Sequence, residues 1–121
     1  MTLILLALLF AKLPPAVRIE PAAKVMITIE GSDAVERYFV RLDDDTLTVL
    51  NLNAPGLPRR RLLGMAAERP EWLAATWKTT YKDGSLQVGP DGVFLNGRKL
   101  ANLAQVVERI PRARIVSLKP S

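Results

Sequence analysis

The alternation of apolar and polar residues divides the chain into short segments. Lys24 to Glu30 (KVMITIE) has a period of two: Val25, Ile27 and Ile29 share one side, and Lys24, Met26, Thr28 and Glu30 share the other. That period predicts a half-buried strand. Gly31-Ser32-Asp33 reads as a turn, and Val35 to Leu42 (VERYFVRL) as a second strand. Glu36, Tyr38, Val40 and Leu42 are its expected core side, opposite Val35, Arg37, Phe39 and Arg41. Asp43-Asp44-Asp45 is a tight acidic connection into a third strand, Thr46 to Leu52, in which Leu47, Val49 and Asn51 oppose Thr48, Leu50 and Leu52. Three consecutive antiparallel strands follow from this spacing.

Asn53-Ala54-Pro55-Gly56 ends the first sheet. Pro58 suits the opening of a helix, where its missing N–H costs nothing. The helix runs over 59–69 with Leu62, Leu63, Met65 and Ala66 on its apolar side, and 70–76 starts a second, shorter one. From Trp77 the period returns to two. Asp83-Gly84 is a strong two-residue hairpin signal. Counting outward pairs Lys82 with Ser85, Tyr81 with Leu86, Thr80 with Gln87 and Thr79 with Val88, so apolar pairs fall on one face and polar pairs on the other. A type I′ turn is expected there. Pro90-Asp91-Gly92 and Asn96-Gly97 make two more turns around Val93-Phe94-Leu95. Residues 100–110 fit both a helix (Leu100, Leu103, Val106, Val107, Ile110) and a β-branched strand over 106–110. A last strand over 113–119 carries Ile115, Val116 and Leu118.

The start of the chain is of another kind. Thr2 to Ala11 is an uncharged run of ten residues, too short for a spanning helix of about 20 and of the length of a signal-peptide apolar region. Residues 1–16 are therefore expected to be a signal peptide and the Pro-rich stretch 17–23 a linker, leaving 24–121 as one domain. Secretion to a bacterial periplasm is the expected localisation, with a cytoplasmic location as the alternative. Composition supports this compartment, because an exported chain without cysteine suits a bacterial envelope better than a disulfide-rich secreted class.

Composition also removes function classes. With no His and no Cys among 121 residues, thiolate catalysis, Ser-His triads, disulfides and ordinary zinc sites are excluded. No nucleophile–base pair, metal set or phosphate-binding loop is present, so neither an enzyme nor a cofactor is expected.

Two strings carry a resemblance to a known family. KVMITIEGSDAVERYFVRLDDDTLTVLNL (24–52) and VVERIPRARIVSLK (106–119), with Pro111-Arg112-Ala113 as a joining turn, resemble the SH3-like and Sm-like small barrels of short exported bacterial proteins. The resemblance implies an α+β, mainly antiparallel β chain: a small SH3-like barrel with a helical and β-meander insertion at 53–105. RNA-reading Sm proteins carry an Asn after the acidic turn and an Arg-Gly in the later segment. Here Thr46-Leu47-Thr48 and Arg112-Ala113 stand in those places. DGVFLNGRKL (91–100) is locally similar to the periplasmic hairpin of ExbD-like transport proteins.

Charge supplies the candidate sites. Residues 1–58 carry five basic and seven acidic groups, net −2, whereas 59–121 carry twelve basic and five acidic, net +7. A basic half suits phosphate or acidic partners. The candidate binding residues are Arg59, Arg60, Arg61, Arg98, Lys99, Arg112 and Arg114. Trp72, Trp77 and Tyr81 are expected to fill the seam between helices and meander, with stacking on bases as the other use. Asp43, Asp44 and Asp45 read as a solvated turn rather than a cation site. Glu30, Asp33 and Glu36 read as solvent-facing rather than as a catalytic carboxylate pair. The expected function is a non-enzymatic exported domain binding a protein or an anionic surface in the envelope. The alternative is a cytosolic nucleic-acid-binding barrel using 59–121.

Overall fold

A computed structural model describes residues 18–74 and 78–121. The expected signal segment 1–16 and Trp77 lie outside the described residues. The chain is α+β, built mainly from two antiparallel sheets. The first contains β1 (Lys24–Ile29), β2 (Val35–Leu42), β3 (Thr46–Leu50), β8 (Val107–Pro111) and β9 (Ile115–Pro120), in the order β8-β3-β2-β1-β9. The second contains β4 (Thr79–Thr80), β5 (Leu86–Gly89), β6 (Gly92–Leu95) and β7 (Arg98–Ala101), in chain order. Helices α1 (Arg59–Glu68) and α2 (Pro70–Ala74) connect the sheets on one side and the single turn α3 (Leu103–Val106) on the other.

β8 and β9 are the two ends of the first sheet, so the described ladders do not close it into the expected barrel. A 3₁₀ turn at Arg112–Arg114 joins those ends, one residue later than the sequence places it. Residues 18–23 are bonded to the sheet next to them: the Ala22 N–H donates to the Phe39 carbonyl at 2.6 Å and the Phe39 N–H to the Ala23 carbonyl at 2.8 Å.

Two cores lie on the two faces of the first sheet. One gathers Val25, Ile27, Phe39, Leu47, Val49, Ile110, Ile115 and Leu118. The other takes Val40 and Leu50 from the first sheet, Leu62 and Met65 from α1, and Leu86, Val88 and Val93 from the second sheet. Phe39, placed on the polar side by its alternation, is therefore buried. β2 lies between both cores: alternation sends Phe39 to one and Val40 to the other, and the register shift between Phe39 and Arg41 returns Leu42 to the side of Phe39. The stretch 100–110 forms the turn α3 and then β8, so both readings of it apply in succession. The Gln105 side chain accepts the Asn102 N–H at 2.8 Å and holds the start of that turn.

A polar group borders the first of these cores. Arg37 Nε donates to Glu108 Oε1 at 2.7 Å, and Asn51 Nδ2 to Glu108 Oε2 at 3.2 Å. Arg37 and Asn51 thus fill both carboxylate oxygens of a half-buried acid, as a group withdrawn from water requires.

Thr48 is fully buried, and its hydroxyl has no hydrogen-bond partner among the described residues. An unpaired buried hydroxyl costs about 1–3 kcal/mol relative to an apolar group of the same shape. Thr48→Val is therefore expected to leave stability unchanged or raise it by up to about 1.5 kcal/mol, read from the urea midpoint. A loss of similar size would show that the hydroxyl has a partner in solution.

Candidate anionic-partner interface

The hairpin register read from Asp83-Gly84 is the observed one, with Thr79 opposite Val88 and Thr80 opposite Gln87. The turn type differs. A type I′ turn needs positive φ at both central residues, and at this tip only Gly84 has it, at +78°. The Tyr81 carbonyl accepts the Gly84 N–H at 2.8 Å, closing the turn over Lys82 and Asp83 instead. The Ser85 hydroxyl and then the Ser85 N–H donate to Asp83, holding its carboxyl below the ordinary range. The two-residue I′ geometry appears at Asn96-Gly97, with φ of +51° and +81°, between the paired Leu95 and Arg98.

Extending the register across all four strands shows what the second sheet presents. Directly opposed residues share a face. Thr80, Gln87, Phe94 and Lys99 therefore form one row, and Gly89 and Gly92 another. This is the face away from the core, because Thr79, Leu86, Val88 and Val93 on the other side are buried. The stem of Lys78 lies across Gly89, where a Cβ would sit 3.1 Å from Lys78 Cα. The stem of Lys99 lies across Gly92, where a Cβ would sit 2.9 Å from Lys99 Cε. Lys78, Lys82 and Lys99 are exposed, and none joins an ion pair among the described residues. A cleft of about 210 Å³ is lined by Lys78, Phe94, Gln87, Pro90 and Asp91 together with Gly89, Gly92 and Gly97.

The structure does not bring the seven basic residues singled out in the sequence to one place. Cations at a helix N-terminus oppose its dipole, at about 0.3–1 kcal/mol each, yet α1 opens with three arginines and no side-chain cap. Two of them turn to acceptors elsewhere. Arg59 donates to the Leu52 carbonyl at 3.1 Å and the Tyr38 hydroxyl at 2.9 Å. Arg61 donates to the Ser85 hydroxyl at 2.9 Å and lies over the Tyr81 ring. Arg60 is exposed. Arg112 donates to the Asp43 carbonyl at 3.3 Å and belongs with Arg114 to the 3₁₀ turn of the first sheet. Arg98 lies opposite Leu95, so alternation sends it to the other face of the sheet from Lys99. Lys99 alone of the seven belongs to the basic outer face.

Some of the acidic candidates are engaged within the fold. Asp43 pairs with Arg41 at 2.6 Å, the Asp45 carbonyl accepts the Arg112 N–H at 2.9 Å, and Glu36 pairs with Lys24 at 3.7 Å. Glu30 and Asp33 are exposed. Tyr81 is half-buried against the core shared by the sheets, as the packing reading of the aromatics expects. Sequence reasoning missed Lys78, Gln87 and Phe94. The signal was available: the Asp83-Gly84 register, carried through the next two turns, puts Thr80, Gln87, Phe94 and Lys99 in line.

No family model matches the chain, and comparison with curated proteins and with solved structures found no match. Among the described residues no helix is long and apolar enough to cross a membrane.

Proposed function

We propose that this chain is a non-enzymatic, exported domain of the bacterial envelope that binds an anionic partner through the outer face of its second sheet. The carrying observation is the face itself: Lys78 and Lys99, unpaired with acids among the described residues, beside a half-exposed Phe94. Two like charges on one sheet face repel one another, and an acidic partner removes that cost while steering encounter. The first sheet serves as the frame. Its β8-β3-β2-β1-β9 order, and the 3₁₀ turn between its end strands, support reading it as a small SH3-like barrel carrying 53–105 as an insertion.

A second reading rests on Phe94. An aromatic ring on a sheet face between lysines is also a platform for an unstacked base. Both readings are tested by one variant, Lys78→Glu with Lys99→Glu, on a surface that the core does not use. Affinity for poly-glutamate is expected to fall by at least about tenfold at low salt, and the wild-type complex to weaken as salt rises. Equal affinity of variant and wild type would overturn the basic-face reading. A wild-type preference for oligothymidylate over poly-glutamate would select the nucleic-acid reading.

A further inference from the structure

We infer that the cleft on this face is the anchor pocket for a tyrosine or tryptophan side chain carried by an acidic protein segment, an inference that rests on the basic-face reading above. The cleft measures about 210 Å³. That is the liquid volume of about seven water molecules, room for one flat side chain. It is lined by a phenyl ring and a proline ring, and by Gly89, Gly92 and Gly97, which add no side chains to fill it. A lipid headgroup or a phosphate chain is held by lysines alone and has no use for such a slot. A flat apolar body fills it, and buried aromatic anchors dominate the energy of protein interfaces.

The polar groups at the rim narrow the choice further. Asp91 and Gln87 border the cleft together with Lys78. The Asp91 carboxylate repels a phosphate group but accepts a hydrogen bond from a phenol O–H or an indole N–H. Lys78, on the same rim, and Lys99, stretched over Gly92, are placed to meet carboxylates on the residues flanking the anchor. One face thereby offers a slot for an aromatic ring, an acceptor for the ring's polar tip and two cations for acidic neighbours.

The test is fluorescence anisotropy on the full chain with dye-labelled pentapeptides: a tyrosine, a phenylalanine or an alanine between two pairs of glutamates. The tyrosine peptide is expected to bind at least about tenfold more tightly than the alanine peptide, the usual scale of an anchor residue. Phe94→Leu should shrink that preference while leaving the salt dependence in place, and a melting curve verifies that the variant is folded. Asp91→Ala, at an exposed turn position, should abolish the preference for tyrosine over phenylalanine. Equal binding of tyrosine and alanine peptides, still sensitive to Lys78→Glu, would overturn the anchor and leave the basic face standing. Phosphatidylglycerol vesicles or oligothymidylate binding more tightly than every peptide would overturn the anchor in favour of that ligand. Absence of binding to all of these probes would overturn both readings.

Discussion

Gly92→Ala is expected to destabilise the domain by about 3–5 kcal/mol, through backbone strain and a collision that no side chain can relieve. Gly92 has a φ of +131°, and a Cβ there would lie 2.7 Å from the carbonyl oxygen of Ala101. That oxygen belongs to the neighbouring strand β7, so relief requires moving main chain. The register shift beside this contact, between Val93 and Phe94, brings Ala101 opposite Val93. The size of the loss follows from two costs acting together, since strained φ alone contributes about 1–3 kcal/mol. Gly97→Ala separates them: Gly97 also has positive φ, but nothing lies within 4 Å of a Cβ there. Thermal melts of the two variants should differ, with a drop of about 10–20 °C for Gly92→Ala and a smaller one for Gly97→Ala. Equal drops would mean that β7 yields freely at Ala101.

The second large effect is expected at Leu62. This residue is fully buried in the core that holds α1, the first sheet and the second sheet together. Leu→Ala at such a site removes transfer energy and leaves a cavity, at about 2–5 kcal/mol. Leu62→Ala should lower the denaturant midpoint accordingly. Because the same core is the seam between the sheets, amide exchange should rise at Leu86, Val88 and Val93 more than at Val25 and Ile27. Uniform acceleration across both sheets would show that the two cores unfold as one unit.

Local signals explain what was legible in the chain. Asp83-Gly84 fixed a register because the flanking positions alternate cleanly, and Pro58 marked the start of α1 because proline fits there. The strands of the first sheet were recognisable from a period of two. Their faces were less so, since a period-two rule assumes one solvated face and β2 and β3 have core on both sides. Phe39 was misplaced for that reason. The site was harder. Charge density drew attention to Arg59, Arg60 and Arg61, yet two of those guanidinium groups satisfy acceptors of the fold. Of the outer-face residues only Lys99 was singled out; Lys78 and Phe94 are far less conspicuous in sequence, because only strand pairing puts them beside it.

The partner of β1 at the edge of the first sheet is β9, with Val25 opposite Pro120, while the second sheet is complete between residues 79 and 101. A chain emerging N-terminus first, from the ribosome or from an export channel, therefore releases the meander with all its strand partners before the frame around it can finish. The stretch from Ala101 to Pro120 takes about 1–4 s to translate, ample time for hairpins that form in microseconds. In that interval the meander waits with Leu86, Val88 and Val93 in place but part of their cover, Val106 and Val107, still to come. The unpaired edge of β1 waits as well, making the nascent chain most vulnerable to sticking to its neighbours just before its last strand emerges.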